Sequence, residues 1–540
     1  MRSSNALPES EGKLHTVPAE LTHWLSGAAI HCAVGIAVGV LVARRMRSRH
    51  LHWSWAAAIF VLVLWMDPEL SGWAFTLALA AAFASIRGRR WHREDVESGA
   101  DLAGIATARH TPLDLVRSLI LAVALRAREA RGSTWWLSNQ RLMLGRDESH
   151  RMVAIPFGTG RGGKHTLVVG ATGSGKTVTQ SWIATRAIEH GMAAVVVDPK
   201  GDSDLREQLR RAALTANRSF IAWTPHGGHV YNPYAHGDAS EIADKLLAGE
   251  HFTEPHYLRQ AQRYLGFVVR ALQQADAEVS LSAIVAHLQP ARLELLARLL
   301  PEAQAHATVT YLDSLSARQQ SDLAGIRDRL AILAESDVGT WLNPDTPDAE
   351  QFDLLTAVRE RAVVYFSLKS DSWPLLSQML GAAIVQDLQT TVAAGQARPI
   401  PTLVVIDEFS AIAAEQVVRL FGRARSAGCS LLLGTQELSD LRLPGRERLL
   451  EQVLGNLSVL IAHRQVVPSS AELISGVAGT VGAWRISRNS DGKTTRTRTS
   501  KPVLEPGQVM SLERGWGAVI ELEHGGSAHV AQMFSPALRG

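Results

Sequence analysis

One octapeptide constrains this chain more than any other feature. Gly170-Ala171-Thr172-Gly173-Ser174-Gly175-Lys176-Thr177 fits the pattern G-x-x-x-x-G-K-[ST]. The run Thr166–Val169 before it has the make-up of a buried strand, and a helical pattern comes after it. The octapeptide is therefore expected at a strand-to-helix turn. Gly170, Gly173 and Gly175 permit a loop tight enough for its N–H groups to converge on phosphate oxygens. Thr172 and Ser174 lie within that loop. The helix N-terminus adds a favourable dipole. Lys176 is expected to reach the β- and γ-phosphates, and the Thr177 hydroxyl to ligate Mg²⁺. ATP and Mg²⁺ are the expected cofactors.

A second half of such a site is legible far downstream. Leu403–Ile406 is an apolar run that ends in Asp407 and Glu408. Two acids at the carboxyl end of a buried strand stand where open α/β folds bind ligands. Asp407 is expected in the Mg²⁺ shell, and Glu408 is expected to polarise the attacking water. Gly434-Thr435-Gln436 ends a further apolar run, so Gln436 is expected to sense the γ-phosphate or orient water. Arg423 and Arg425 precede that run, where an arginine aimed across a subunit boundary stabilises transition-state charge. Asp198-Pro199-Lys200-Gly201-Asp202 reads only as a polar turn at the active edge. His226-Gly227-Gly228-His229 lacks a third ligand at a suitable spacing and reads as a loop rather than a metal site.

The strands expected from apolar runs are Thr166–Val169, Ala193–Val197, Val363–Leu368, Leu403–Ile406 and Ser430–Gly434. Helical segments lie between several of them, which predicts a doubly wound α/β core. The nucleotide-binding domain is assigned to residues 135–235 and 346–540. Residues 236–345 break the alternation with helical periodicity throughout and are expected to form an inserted all-α subdomain. Within it, Ser316 and Gln319 fit a capping box, and Leu323, Ile326, Leu330 and Leu333 fall on one face. Residues 94–134 read as a connector containing an amphipathic Leu113–Arg131 segment. Ser487–Lys501 reads as an exposed hairpin or loop. Arg485, Arg488, Lys493, Arg496, Arg498 and Lys501 cluster there and are candidate contacts to nucleic-acid phosphates.

Charge is unevenly placed. The chain carries 55 Lys+Arg against 52 Asp+Glu, a net +3. Residues 1–93 hold 10 basic and 5 acidic residues, net +5, which leaves 45 against 47, net −2, for the rest. The basic excess lies among apolar runs at Leu25–Ala43, Leu51–Met66 and Ser71–Ile86. The first contains 19 residues, or ~28 Å of helix, close to a bilayer core. Arg44, Arg45, Arg47 and Arg49 follow the first run, and Arg87, Arg89, Arg90 and Arg93 follow the third. The positive-inside rule then places both clusters in the cytoplasm. The expectation is a multi-pass inner-membrane anchor of two to three transmembrane helices over 1–93, with the remainder cytoplasmic. Two cysteines, Cys32 and Cys429, exclude a disulfide framework and a Cys-based zinc site.

Together these residues resemble the TraG/TraD-type coupling proteins of type IV secretion and conjugation, within the FtsK/HerA group of motor ATPases. His165–Thr177 looks like their nucleotide loop, Asp198–Gly201 like their D-P-K-G turn, and Tyr231-Asn232-Pro233 like their N-P element. Val405–Arg425, Ala427-Gly428 and Thr435-Gln436 look like their second acidic motif and glutamine strand. Gly455-Asn456 and the Ser470–Glu472 and Ala478–Thr480 stretches resemble further family elements. The resemblance implies a RecA/FtsK-like P-loop NTPase core with an inserted all-α subdomain, in a hexameric ring. It implies ATP-driven transfer of a relaxase-bound DNA strand to a secretion channel, with Arg425 as the trans-acting arginine and Gln436 as the sensor. Two alternatives stay open. A double-stranded-DNA pump of the FtsK type shares the core but usually carries a C-terminal winged helix, for which the sequence after Gly515–Val530 leaves no room. A membrane ATPase for protein export is compatible with the near-neutral cytoplasmic part.

Overall fold

The computed structural model describes residues 19–48, 53–66, 73–98, 120, 136–148, 150–158, 162–250, 252, 254–412, 414–442, 448–488, 494–523 and 527–536. The chain divides into two compact units. One comprises Met1–Ser133 with Glu148–His150 and Ile486–Thr495, and the other comprises the rest.

In the first unit the apolar runs are helical, at Ala19–Ser48, Trp55–Met66 and Ala74–Ser98. The first and third helices pack at small residues. A Cβ on Gly35 would lie 2.9 Å from the Thr76 carbonyl oxygen, and one on Gly39 would lie 2.7 Å from that of Ala80. His31 Nδ1 and Thr76 Oγ1 are 2.7 Å apart across the same seam. Among the described residues no helix is long and apolar enough to cross a membrane, in contrast to the two to three spans expected. The second helix is 12 residues long, ~18 Å against a core of ~30 Å. The third runs on through its arginines to Ser98, five residues into the expected connector, so its charged half shortens the apolar stretch. Side chains 19–29 of the first helix, and the connector apart from residues 94–98 and 120, lie outside the described residues.

The second unit is built on a twelve-stranded sheet. In chain order the strands of the molecule are β1 (Leu137–Ser138), β2 (Arg141–Asp147), β3 (Met152–Pro156), β4 (Thr166–Val169), β5 (Ala193–Asp198), β6 (Phe220–Trp223), β7 (His229–Tyr231) and β8 (Glu350–Phe352). They continue with β9 (Val363–Ser367), β10 (Thr402–Ile406), β11 (Cys429–Thr435), β12 (Val459–Ala462), β13 (Thr480–Arg488), β14 (Thr494–Pro502), β15 (Trp516–Glu521) and β16 (Ser527–Met533). The order across the large sheet is β1-β2-β16-β15-β12-β4-β11-β10-β5-β9-β6, with β3 on β2. The seven strands from β12 to β6 are parallel. The strands beyond β12 join antiparallel. All five strands expected from apolar runs form, and β4, β5, β9, β10 and β11 are buried at every position. That burial explains why their sequences do not alternate: helices cover both faces. The fold is an α/β P-loop core, as expected.

Between β7 and β8 the chain is helical, from Ala239–Leu247 to Ala317–Ala334. Asp238 with Glu241 and Ser316 with Gln319 form capping boxes. Leu323, Ile326, Leu330 and Leu333 are buried on one face of the last helix. These helices share one continuous apolar core with the sheet. A buried ion pair ties them to it. Lys245 Nζ donates to Asp387 Oδ1 at 2.6 Å and to the carbonyls of Pro233 at 3.0 Å and His236 at 2.6 Å, so all three protons have partners. Tyr231 donates to the other Asp387 oxygen at 2.7 Å. The Tyr231-Asn232-Pro233 element is thus a structural junction, with Asn232 Nδ2 also holding the Val279 carbonyl at 2.8 Å.

Candidate nucleotide site

Parallel strands bring their carboxyl ends to one edge, and the residues just beyond each end build the site. The loop Gly170–Gly175 leaves β4, and the helix Lys176–Glu189 starts directly after it. Gly173 and Gly175 take φ of 77° and 114°, left-handed values that favour glycine. A Cβ on Gly170 would lie 2.8 Å from that of His463. The neighbouring strand ends frame the loop: Gly170 N donates to the Thr435 carbonyl at 3.3 Å, and Ala171 N to that of Arg464 at 3.1 Å. Gly515 N, before β15, donates to the Ser174 carbonyl at 3.1 Å.

Asp407 and Glu408 follow β10, next to β11 and β5. Lys176 Nζ sits 2.7 Å from Glu408 Oε1 and 3.2 Å from Asp407 Oδ1. Gln436 Nε2 donates to the same Glu408 oxygen at 3.1 Å, and Gln180 Nε2 to Asp407 Oδ1 at 3.3 Å. A Cβ on Gly434 would overlap Asp407 Oδ1, which is why the chain needs glycine just before Thr435. Glu408 has φ 44°, in the left-handed region where a residue with a Cβ is strained. Such strain persists only where the surroundings over-determine it, and it clusters at functional sites. Burial works against the charge of Glu408, but Lys176 and Lys200 outweigh it and hold the carboxyl below its usual range.

Lys176, Asp407, Glu408 and Gln436 line a cavity of about 340 Å³ together with Thr172, Gly173, Gly175, Thr177, Lys200 and Arg514. The residues fit a nucleoside triphosphate with its metal. Ser174 Oγ in the loop is buried without a hydrogen-bond partner among the described residues. Thr177 and the Asp407 carboxylate both face the cavity and supply oxygens, the donor type Mg²⁺ prefers.

Three groups escaped the sequence reading. Lys200, taken there as part of a polar turn, donates to Glu408 Oε1 at 3.1 Å. His463 follows β12, a strand the apolar runs did not flag, and its ring joins Thr179 Oγ1 at 2.9 Å and the Trp516 carbonyl at 2.9 Å. Arg514 reaches the cavity from the turn before β15, over 300 residues downstream, where no local pattern announces it.

A profile of the type IV secretion-system coupling protein DNA-binding domain matches residues 150–525. The chain belongs to this coupling-protein family. Its fold matches that of the bacterial conjugative coupling protein TrwBdeltaN70 in an unbound form, with TM-score 0.55 and 16% identity over 71% of this chain and 87% of that one. TrwB in complex with ADP and Mg²⁺ matches with TM-score 0.53 and 16% identity over 70% and 87%. VirB4 of Thermoanaerobacter pseudethanolicus matches with TM-score 0.50 and 12% identity over 74% and 98%. No curated protein sequence matches.

In this coupling protein the remaining candidates lie apart from the nucleotide loop. Arg425 precedes β11, at the amino edge of the sheet, while Gln436 follows the same strand at the carboxyl edge. The Arg425 carbonyl accepts from Gly163 N at 3.0 Å, just before β4, and its Nη2 donates to the Asn456 carbonyl at 3.2 Å. The basic segment contains the two-stranded sheet of β13 and β14. Arg498 and Lys501 are exposed on β14, and Lys501 pairs with Glu505 at 3.1 Å. The side chains of Arg485, Arg488, Lys493 and Arg496 lie outside the described residues. His226 and His229 hold no metal cluster with other described residues, and His229 Nδ1 is 3.1 Å from the Ala222 carbonyl oxygen.

Proposed function

We propose that this coupling protein is an ATP-hydrolysing motor that works as a homohexameric ring and passes a relaxase-bound single DNA strand towards a type IV secretion channel. The observation that carries the reading is the convergence of Lys176, Asp407, Glu408 and Gln436, from three strand ends, on one buried cavity. Loop amides and Lys176 take the β- and γ-phosphates. Thr177 and Asp407 would hold Mg²⁺, which would supply charge neutralisation for the phosphates. Glu408 accepts a hydrogen bond from the attacking water, and Gln436 fixes that water's orientation. Arg425 serves the cavity of the neighbouring subunit, because its own lies beyond the length of β11, ~23 Å away. The exposed cations of β14 contact DNA phosphates. Attachment of residues 1–93 to the cytoplasmic membrane belongs to the same reading, supported by their apolar helices and their +5 charge.

ATP turnover of the purified full chain, measured with and without single-stranded DNA, tests this directly. The expected result is DNA-stimulated turnover that Lys176→Ala abolishes. Turnover indifferent to DNA, in a chain that binds none, removes the motor.

A further inference from the structure

The nucleotide motifs give no task to two cations that line the cavity, Lys200 and Arg514, and of these Lys200 pairs with the acidic strand end, at 3.1 Å from Glu408 Oε1. Its turn is held by several hydrogen bonds. Asp198 accepts from Lys200 N at 2.9 Å, from Asp202 N at 2.7 Å and from the Tyr365 hydroxyl at 2.7 Å. Ser370 N donates to the Pro199 carbonyl at 2.7 Å, and Gly201 takes φ 75° against Ser367. Asp202 then caps the next helix through Asp204 N and Leu205 N. A turn held from both sides fixes the backbone from which the half-exposed Lys200 side chain reaches the cavity.

What Lys200 meets there is an overfilled acceptor. A single oxygen, Glu408 Oε1, faces Lys176 Nζ at 2.7 Å, Lys200 Nζ at 3.1 Å and Gln436 Nε2 at 3.1 Å. A carboxylate oxygen has about two lone pairs, so three donors crowd it. An arriving triphosphate competes for one of the three. Lys176 is the donor that leaves, since it stands at the end of the phosphate loop. Its departure strips a cation from a carboxylate only 8% exposed, and a buried charge without a partner is strongly disfavoured. Lys200 remains in range, on a backbone that does not need to move.

We propose that Lys200 is the positioning residue for Glu408, keeping hold of the carboxylate when Lys176 moves onto the phosphates of bound ATP. This rests on the ATPase reading of the site.

Carbodiimide joins an amine to a carboxylate only where the two touch, so it reads the exchange directly on the full, unmutated chain. Without nucleotide, mass spectrometry is expected to find Glu408 coupled to both Lys176 and Lys200. With a non-hydrolysable ATP analogue bound, the Lys176 link is expected to vanish and the Lys200 link to persist. Loss of the Lys200 link, or survival of the Lys176 link, overturns the proposal. In turnover, Lys200→Met is expected to lower kcat by about a hundredfold, the cost of a misplaced group, with affinity for the analogue unchanged. Lys200→Arg is expected to restore most of the rate. A Lys200→Met chain that loses affinity in step with rate, or loses neither, also overturns it. If the unmutated chain binds the analogue and hydrolyses no ATP, the ATPase reading falls, and the crosslinks still decide the question of Lys200.

Discussion

The two edges of the central sheet carry charge in opposite ways. At the carboxyl edge Lys176, Asp407 and Glu408 have side chains 9, 12 and 10% exposed, and they lock onto one another. At the amino edge Lys164 and Glu523 pair at 2.6 Å with side chains 33 and 23% exposed, and Arg425 lies at the surface. Parallel strand direction separates the two by the full length of β11. A buried cluster in low dielectric is strong and self-contained, which suits chemistry completed within one chain. Arg425 is exposed, and its side chain donates to the Asn456 carbonyl at 3.2 Å; surface contacts of this kind contribute little. The comparison teaches that strand polarity separates a buried, mutually paired charge cluster from an exposed one, which is the division that the proposed role of Arg425 in a neighbouring subunit requires.

The largest effect that bears on this division is at Arg425. Arg425→Ala is expected to lower turnover of the assembled protein by about 10³-fold with nucleotide affinity kept. Mixing it with Lys176→Ala subunits is expected to recover activity, since each supplies what the other lacks. Recovery absent from the mixture places Arg425 outside the chemistry.

Next in size is acid sensitivity. Each edge holds a buried histidine, His165 before β4 and His463 after β12. Burial pushes both imidazoles down to about 4, helped by the nearby charge of Arg425 at His165 and of Lys176 at His463. The folded chain keeps them neutral, whereas the unfolded chain protonates them below about 6.5. Their contribution is therefore complete above about 6.5 and lost as pH falls from there to about 4, on the order of 3 kcal/mol each. Thermal unfolding across that window is expected to show the loss, and His165→Asn or His463→Asn to flatten it.

Smaller effects come from backbone fit. Gly163→Ala at the amino edge drives a Cβ into the Cys429 carbonyl. It is expected to cost about 1–3 kcal/mol of stability with the rate per folded molecule kept. Gly434→Ala at the carboxyl edge displaces Asp407 and is expected to remove turnover as well. Equal loss of rate in both variants erases the distinction between the edges. Smallest is the effect on DNA. Arg498→Glu with Lys501→Glu is expected to weaken single-strand binding and to lower the salt slope by about one for each phosphate no longer neutralised. A titration series in salt checks this.

Much of the site was legible because its parts are local. The phosphate loop is one octapeptide, and Asp407 with Glu408 and Gln436 each end an apolar run. Lys200 was visible as a residue but not as a partner, since its meeting with Glu408 spans 208 positions of chain. His463 and Arg514 depend on β12 lying beside β4 and β15 beside β12, pairings that no local periodicity encodes. The N-terminal runs gave helices where helices were expected, yet hydropathy did not foretell that the third would run on through its arginines.

The order of residues along the chain was enough to establish the strand-and-helix alternation, the nucleotide loop and the acidic strand end. Each of these depends on steric and hydrophobic preferences acting within about ten residues. Sheet order settled the rest. Placing β10 between β5 and β11 set Lys176, Lys200 and Gln436 around a single carboxylate oxygen, that of Glu408, whose backbone takes φ 44°. Electrostatic contacts of that kind act over a few ångströms of space, and distance along the sequence has no bearing on them.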